Sequence, residues 1–380
     1  MKRKAFLSFM LILFTAINAF SNEASDSVNS FDDKLFESLC NQGENVNYSA
    51  LSIYSLLYAL LQGSDGQTYE QIRDVISCTP SQELNEQMED LITGTENMSN
   101  SVWYKKDLTF NKDYKHFMND FDFITKPTDF HKGPTVRKEI NDYISKKTNK
   151  LIENFLSEDL PTSTRLVLLN TLYFSQKWKS PFYEYDTYEE EFFKTADTSV
   201  PAQMMHKTSH YNYFEDSDFQ MIELAYEDSR YSMIIFLPKD IAYDFSKTNP
   251  NALTQKFEEN NRNKEIWLTF PKFDLSSRYD LIPVLQALGL TDAFNPAAAD
   301  LSKIFTDSQD IYVDSAIHEV RIIVNEKETK AAAVTMFGLK ATSAMPERPI
   351  TFKADHSFCY VIRDKQQGIN LFTGIIRNPK

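Results

Sequence analysis

A chain of 380 residues exceeds the usual size of one hydrophobic core, so length alone points to two domains. Hydrophobic residues make up 42%, which excludes a disordered chain. The net charge of −14 excludes nucleic acid and anionic membrane as partners, because an acidic surface repels phosphate.

The chain opens with Lys2, Arg3 and Lys4, then an apolar run from Ala5 to Ala19. Ala19 and Ser21 place small residues at alternate positions before Asn22, the pattern of a secretory signal cleaved after Ser21. The run is short of the roughly 20 residues that span a bilayer. Residues 1–21 are therefore expected to be a signal peptide and the mature protein to be secreted and extracellular. The last four residues, Arg377 to Lys380, form no retention signal for the endoplasmic reticulum. From Asn22 onward there is no linker, charge run or repeat, and only 9 glycines, so residues 22–380 are expected to form one domain after all.

Helical patterns dominate the first third: Leu51–Leu61 with Ser49 as its cap, Thr68–Ile76, Ser81–Ile92, and a long amphipathic run over Val136–Phe155. Asn47 and Asn97 each begin an N-glycosylation sequon; Asn97 has the more open surroundings. Strands follow. Arg165–Phe174 is almost wholly apolar, as a strand buried on both faces should be, and Tyr231–Leu237 reads alike. Ile266–Phe270, Ile311–Val313, Val320–Asn325, Phe358–Ile362 and Leu371–Ile376 are further strands. Helices early and strands late, without regular alternation, indicate an α+β fold.

No motif of nucleotide binding, metal hydrolysis or serine hydrolysis occurs, so no catalytic residues, cofactor or metal are expected and the chain does not read as an enzyme. His206 and His210 have ligand spacing only on a helix, and their surroundings read as strand. Cys40, Cys78 and Cys359 are three and far apart; at most one bridge can form, and buried thiols are the plainer reading.

The segment from Glu326 to Met345 is unusual. It keeps a period of two with small side chains. Thr329, Ala331, Ala333, Thr335, Phe337, Leu339 and Ala341 form an uncharged set. Glu328, Lys330, Ala332, Val334, Met336, Gly338 and Lys340 form the other, with all three charges. Strand code with weak burial suits a segment that sits outside a sheet and later joins one.

At this point the sequence resembles the serpin family over essentially its whole mature length. Val324-Asn325-Glu326, Thr329 and Ala331-Ala332-Ala333 resemble its hinge. Arg165–Phe174 with Trp178 and Pro181-Phe182 resembles its central strand and the breach above it. Leu268–Phe273, Leu285–Phe294, Phe352–Phe358, and Leu371–Gly374 with Pro379 resemble its other signature blocks.

The resemblance implies three β-sheets, eight or nine helices, and an exposed reactive centre loop at about 326–346. It implies a monomer that a target serine protease attacks as substrate, forming a covalent acyl complex before the cut loop enters the central sheet. About 14 inserted residues would span roughly 46 Å. At roughly 1 kcal/mol per ladder bond the gain would reach tens of kcal/mol.

The family's usual loop length places the reactive bond at Thr342-Ser343, suiting an elastase-like enzyme; other registers would present Lys340 to a trypsin-like enzyme or Leu339 to a chymotrypsin-like one. The resemblance also assigns Ser49, Ser52, Asn170 and His318 to the polar cluster where the sheet parts, and Trp178 to the breach. Glu328 stands where the hinge usually has glycine, Ala50 where a proline is usual, and Val334 where alanine is. A charged hinge slows insertion and favours a substrate-like serpin. A non-inhibitory carrier or folding assistant is the other alternative. A heparin-type cofactor is not expected, because Ser81–Ile92 is acidic where some relatives are basic.

Overall fold

The chain begins with a series of capped helices. In this computed structural model, which describes residues 22–306, 311–326 and 349–380, Asn22 caps α1 (Glu23–Leu39) by accepting from Ser25 N. Val28, Phe31, Leu35 and Leu39 recur at helical spacing and are buried. The short β1 (Val46–Tyr48) leads into α2 (Ala50–Gly63), buried on nearly every side. Ser49 caps α2, accepting from Ser52 N at 3.3 Å. α3 (Gly66–Ile76) and α4 (Gln82–Thr93, capped by Ser81) fall on the expected runs. β2 (Met98–Lys105), α5 (Lys112–Asp120) and β3 (Ile124–Thr128) follow.

α6 (Gly133–Lys147) is shorter than the helix expected over Val136–Phe155. Thr148 ends it, and Asn149 and Lys150 adopt φ of 49° and 63°, turning the chain back. Ile152, Phe155 and Leu156 still join the small core of Ile140 and Ile144, but from a loop. Their apolar spacing records a shared core, not a continuous helix.

The remaining elements are β4 (Leu166–Phe174), β5 (Thr187–Thr195), β6 (Thr198–Glu215), β7 (Phe219–Ala225), β8 (Tyr231–Pro238), α7 (Pro250–Asn260), β9 (Arg262–Pro271), β10 (Phe273–Asp280), α8 (Leu281–Ala287), β11 (Ser315–Val324), β12 (Ile350–Lys353), β13 (Phe358–Asp364) and β14 (Ile369–Ile376). Ile311–Val313 is not a strand. Val313 N donates to Ala293 O and Asp314 N to Leu166 O, lone loop bonds without a ladder, while Ile311 and Val313 bury in the core.

The central sheet has five strands in the order β10-β11-β4-β2-β3, with β11 and β4 parallel neighbours. The second network has the order β1-β14-β13-β8-β7-β6-β9-β12, with β5 also on β6. β6 pairs β5 over 198–205, β9 over 204–213 and β7 over 212–215, so two sheet segments share it. Counted separately, those segments and the central sheet are the three sheets that the resemblance implies. Eight α-helices stand among the described residues.

The central sheet buries both faces of β4, which is why that strand reads as almost wholly apolar. Leu168, Leu172, Ala316 and Val320 join the main core with α2, whereas Trp103, Val167, Leu169 and Ile317 meet Val136, Ile140 and Ile144 of α6. Behind α2, the Tyr360 ring occupies the place a Cβ at residue 374 would take, 2.6 Å away, so Gly374 must lack one. Tyr360 then donates its hydroxyl to Asn47 Oδ1 at 3.0 Å. Ile140→Ala should cost about 2–5 kcal/mol, read as a lowered urea midpoint. A loss under about 1 kcal/mol would show that α6 is not packed as tightly as this.

Candidate functional site

The site is built on the seam between β11 and β4. Their ladder pairs Ser315–Ile322 with Val167–Phe174, so no strand stands between them. At its middle His318 lies opposite Asn170, and Asn170 lies opposite Asn100 of β2. Ser49 N, at the start of α2, donates to His318 Nε2 at 3.2 Å. That leaves the proton on Nδ1, which donates to Asn170 Oδ1 at 2.8 Å; Asn170 Nδ2 donates to Asn100 Oδ1 at 2.7 Å. Ser55 Oγ lies 3.1 Å from the same Asn100 oxygen and 2.7 Å from Ser52 O. A helix end and three strands are thus tied by one line of buried polar groups.

The imidazole has to be neutral. A proton on Nε2 would face the Ser49 N–H, donor against donor, and burial pushes the His318 pKa down to about 3. Of the residues the resemblance assigns to this cluster, Ser49, Asn170 and His318 bond as a line. Ser52 contributes only its backbone: its hydroxyl is buried without a partner among the described residues. Asn100 and Ser55 belong to the cluster and were missed from sequence. Asn100, between Ser99 and Ser101, gives no apolar period to notice.

At the top of the seam Trp178 Nε1 donates to Asn325 O at 2.9 Å, just past the end of β11. The indole stacks on Tyr226, centroids 4.5 Å apart and 10° from parallel. Glu326 is buried beside it and meets Lys272 Nζ at 2.7 Å. Burial pushes its pKa up, but the Lys272 ammonium, its own backbone N–H and Thr187 together outweigh that and hold the carboxyl below its usual range. Lys272 lies in the Leu268–Phe273 block that resembles the family, but nothing in that block points to Glu326 as its partner. Of the hinge, Val324, Asn325 and Glu326 are among the described residues. Glu328, Thr329, Ala331, Ala332, Ala333, Leu339, Lys340, Thr342 and Ser343 lie outside them, as does the expected signal peptide.

Asn47 is a correction as a glycosylation site. Its side chain is fully buried under Tyr360, leaving no room for a glycan. Asn97 is exposed at the entry to β2. Cys40, Cys78 and Cys359 are all free and buried, and burial raises each thiol. Among the described residues no three His, Cys, Asp or Glu side chains gather as metal ligands, and no helix is long and apolar enough to cross a membrane.

A five-stranded sheet closed over a buried polar line, with the chain after β11 held at Asn325 and Glu326 by Trp178 and Lys272, defines a protein of the serpin architecture. The sequence matches the family described as Serpin (serine protease inhibitor) over residues 26–379, and the chain belongs to that family. It is 30% identical over 371 residues to an uncharacterized serpin-like protein of Thermococcus kodakarensis, covering 93% of this chain and 85% of the relative. It is 28% identical over 370 residues to plasminogen activator inhibitor 1 of Mus musculus, covering 92% and 91%. A crystal structure of maspin superposes with a TM-score of 0.84 at 22% identity, covering 94% of this chain and 99% of maspin, a likeness of fold.

The neutral His318 has a pH signature. Below about 6.5 the unfolded chain takes up a proton that the native histidine refuses until about pH 3, so its contribution is full above 6.5 and is lost as pH falls. Asp32 opposes it. Burial raises that carboxyl to about 7, so its contribution is full below 3.8 and is lost as pH rises toward 7. The difference in unfolding free energy between wild type and His318→Gln at pH 7.5 should therefore shrink by about 2 kcal/mol at pH 5. Urea melts at both pH values measure it, and an unchanged difference would mean that the imidazole titrates normally.

Proposed function

We propose that this chain is a secreted inhibitor of serine proteases that works by covalent trapping. The protease's serine hydroxyl attacks the carbonyl of Thr342. The Thr342–Ser343 bond breaks, Ser343 leaves as a free amine, and an ester joins Thr342 to the enzyme. The freed segment after Glu326 then enters the central sheet between β11 and β4, moving the protease before water can release it. Secretion rests on the basic start and apolar run of residues 1–21.

The observation that carries this reading is a match of parity. β11 buries Ala316, His318, Val320, Ile322 and Val324, whereas Glu319, Arg321 and Ile323 are partly exposed. A strand reversing from its end with a turn centred between Glu326 and Lys327 sets Val324 opposite Thr329 and His318 opposite Thr335. Directly opposed residues share a face. The whole uncharged set, Thr329 to Ala341, then faces the core, and Glu328 and Lys330 face outward. Such a strand is antiparallel to β11 and to β4, which is parallel to β11.

The energy available is smaller than an open slot would give. The seam is closed by eight paired residues, and these must separate. Two antiparallel ladders replace one parallel ladder, a net gain of about one ladder, on the order of 8 kcal/mol at roughly 1 kcal/mol per bond. Insertion also breaks the His318–Asn170 bond. Thr335, facing the same way at that register, would supply a hydroxyl between them.

Incubation with an elastase, a trypsin and a chymotrypsin should give a band on denaturing gels that holds inhibitor and enzyme together, with release of residues 343–380. Release of 341–380 would move the bond to Lys340, and of 340–380 to Leu339. Cleavage without such a band would favour the substrate-like reading that Glu328 suggests. The nicked chain should melt about 10 °C or more above the intact one. Thr335→Val should lower the melting point of the nicked chain and leave the intact one unchanged; equal effects on both would refute this register.

A further inference from the structure

The turn that leads into β5 reads Tyr183-Glu184-Tyr185-Asp186-Thr187-Tyr188 and is followed by Glu189, Glu190 and Glu191. No lysine, arginine or histidine stands between Ser180 and Phe193. Aromatic side chains usually leave water when a chain folds. Here they do not: five large hydrophobic side chains are exposed among the described residues, and three of them are the tyrosines of this turn.

The three phenols differ in access. Tyr188 belongs to β5, paired with Met204, and its ring lies on His206 with centroids 4.2 Å apart. Tyr183 is 42% exposed and stacks on Tyr185 at 5.0 Å. Tyr185 stands at the middle of the short 3₁₀ turn Glu184–Asp186 and is 77% exposed. The turn closes on itself, with Asp186 N donating to Tyr183 O at 3.0 Å and Thr187 N to Glu184 O. An enzyme can therefore take hold of Tyr185 without parting the ladder of β5 and β6.

The charge around Tyr185 is negative. Glu184 and Asp186 flank it, and neither these nor Glu189 and Glu191 form an ion pair among the described residues. Glu190 alone meets basic groups, His206 Nε2 at 2.8 Å and Lys353 Nζ at 3.0 Å. Lys207, at the base of the turn, donates to Ser180 Oγ at 2.6 Å and Pro181 O at 2.5 Å. An exposed phenol between carboxylates suits a transferase that binds acidic segments in a basic cleft.

We propose that Tyr185 is a site of tyrosine sulfation. The phenol oxygen attacks the sulfur of a phosphosulfate donor, phosphoadenosine phosphosulfate. The sulfur–oxygen bond to the donor's phosphate breaks, the bisphosphorylated adenosine leaves, and the phenol proton passes to a base of the transferase. The resulting ester puts a fixed negative charge where the hydroxyl stood. That charge stands two residues from Thr187, whose side chain bonds Glu326 at the root of the loop. It steers an enzyme with a basic surface toward the loop. Acceptance of the group by the folded chain stands by itself; modification in the cell rests on the secretion reading, and steering rests on the inhibitor reading.

The test uses the whole folded chain, a purified tyrosylprotein sulfotransferase and radiolabelled phosphoadenosine phosphosulfate. Mass analysis of the digest should place the sulfuryl group on the peptide that holds Tyr185, and Tyr185→Phe should abolish labelling. Glu184→Gln combined with Asp186→Asn keeps the phenol and should slow labelling about five-fold or more, because both flanking charges are lost. Thermal melts establish that both variants are folded. Label that persists in Tyr185→Phe, or that enters only after unfolding in urea, overturns the site. Chain secreted from animal cells should carry the same group; secreted chain without it overturns modification in the cell. Chain left in the cytosol sinks the secretion reading alone, because the purified enzyme acts on it directly. At low salt the sulfated chain should form the covalent band with a basic trypsin several-fold faster than the unmodified one; equal rates remove the steering. Absence of any band sinks the inhibitor reading alone, because labelling is measured without protease.

Discussion

The closure of the central sheet depends on the hydrogen bond between His318 Nδ1 and Asn170 Oδ1, because it crosses the seam that a sixth strand would enter. The bond is buried, so breaking it leaves two polar groups without water to turn to. It needs a proton on Nδ1, and a second proton on Nε2 would break the bond from Ser49 N at the other side of the ring. The Ser49 N–H at the start of α2 enforces that tautomer. One backbone donor at a helix end thus fixes which ring nitrogen bonds across the seam.

The same seam is covered from the other side. α6 and the loop after it lay Ile140, Ile144, Ile152 and Phe155 over Val167, Leu169 and Ile317. Arg278 and Arg321 fasten that loop, donating to Phe155 O and Leu151 O. A strand entering between β11 and β4 must break the polar line beneath, part eight paired residues, and displace apolar packing above. The closed sheet is therefore a barrier as well as a reservoir. The Trp178–Asn325 and Lys272–Glu326 contacts lie where that barrier would first be tested.

Much of this was legible in the sequence, for uneven reasons. β4 announced itself because a strand packed on both faces can hold little but apolar residues. Ser49 announced the start of α2 because an N-cap needs a short side-chain acceptor. The overlong helix over Val136–Phe155 shows the limit of periodicity: two segments serving one small core keep an apolar rhythm across a turn at Asn149 and Lys150. Ile311–Val313 shows another, since buried extended chain and strand differ only in where the backbone bonds go. Asn100 was invisible, and Lys272 stood in a recognisable block without its role, because the importance of each lies in a distant partner, Asn170 at 2.7 Å and Glu326 at 2.7 Å.

The opposition of His318 and Asp32 has a consequence for the intact state. Between about pH 3.8 and 6.5 the unfolded chain holds the proton that His318 refuses, and the native chain holds the one that Asp32 keeps. The two slopes have equal size and opposite sign, so these groups together leave stability nearly level across that range. Asp32 sits away from the seam, joined to Tyr48 at 2.8 Å and Thr373 at 3.1 Å, tying α1 to β1 and β14. Acid therefore strengthens the body behind the sheet while it weakens the sheet's own closure. Global stability hides that shift of free energy from one place to the other, and the seam would loosen in a molecule that melts no earlier.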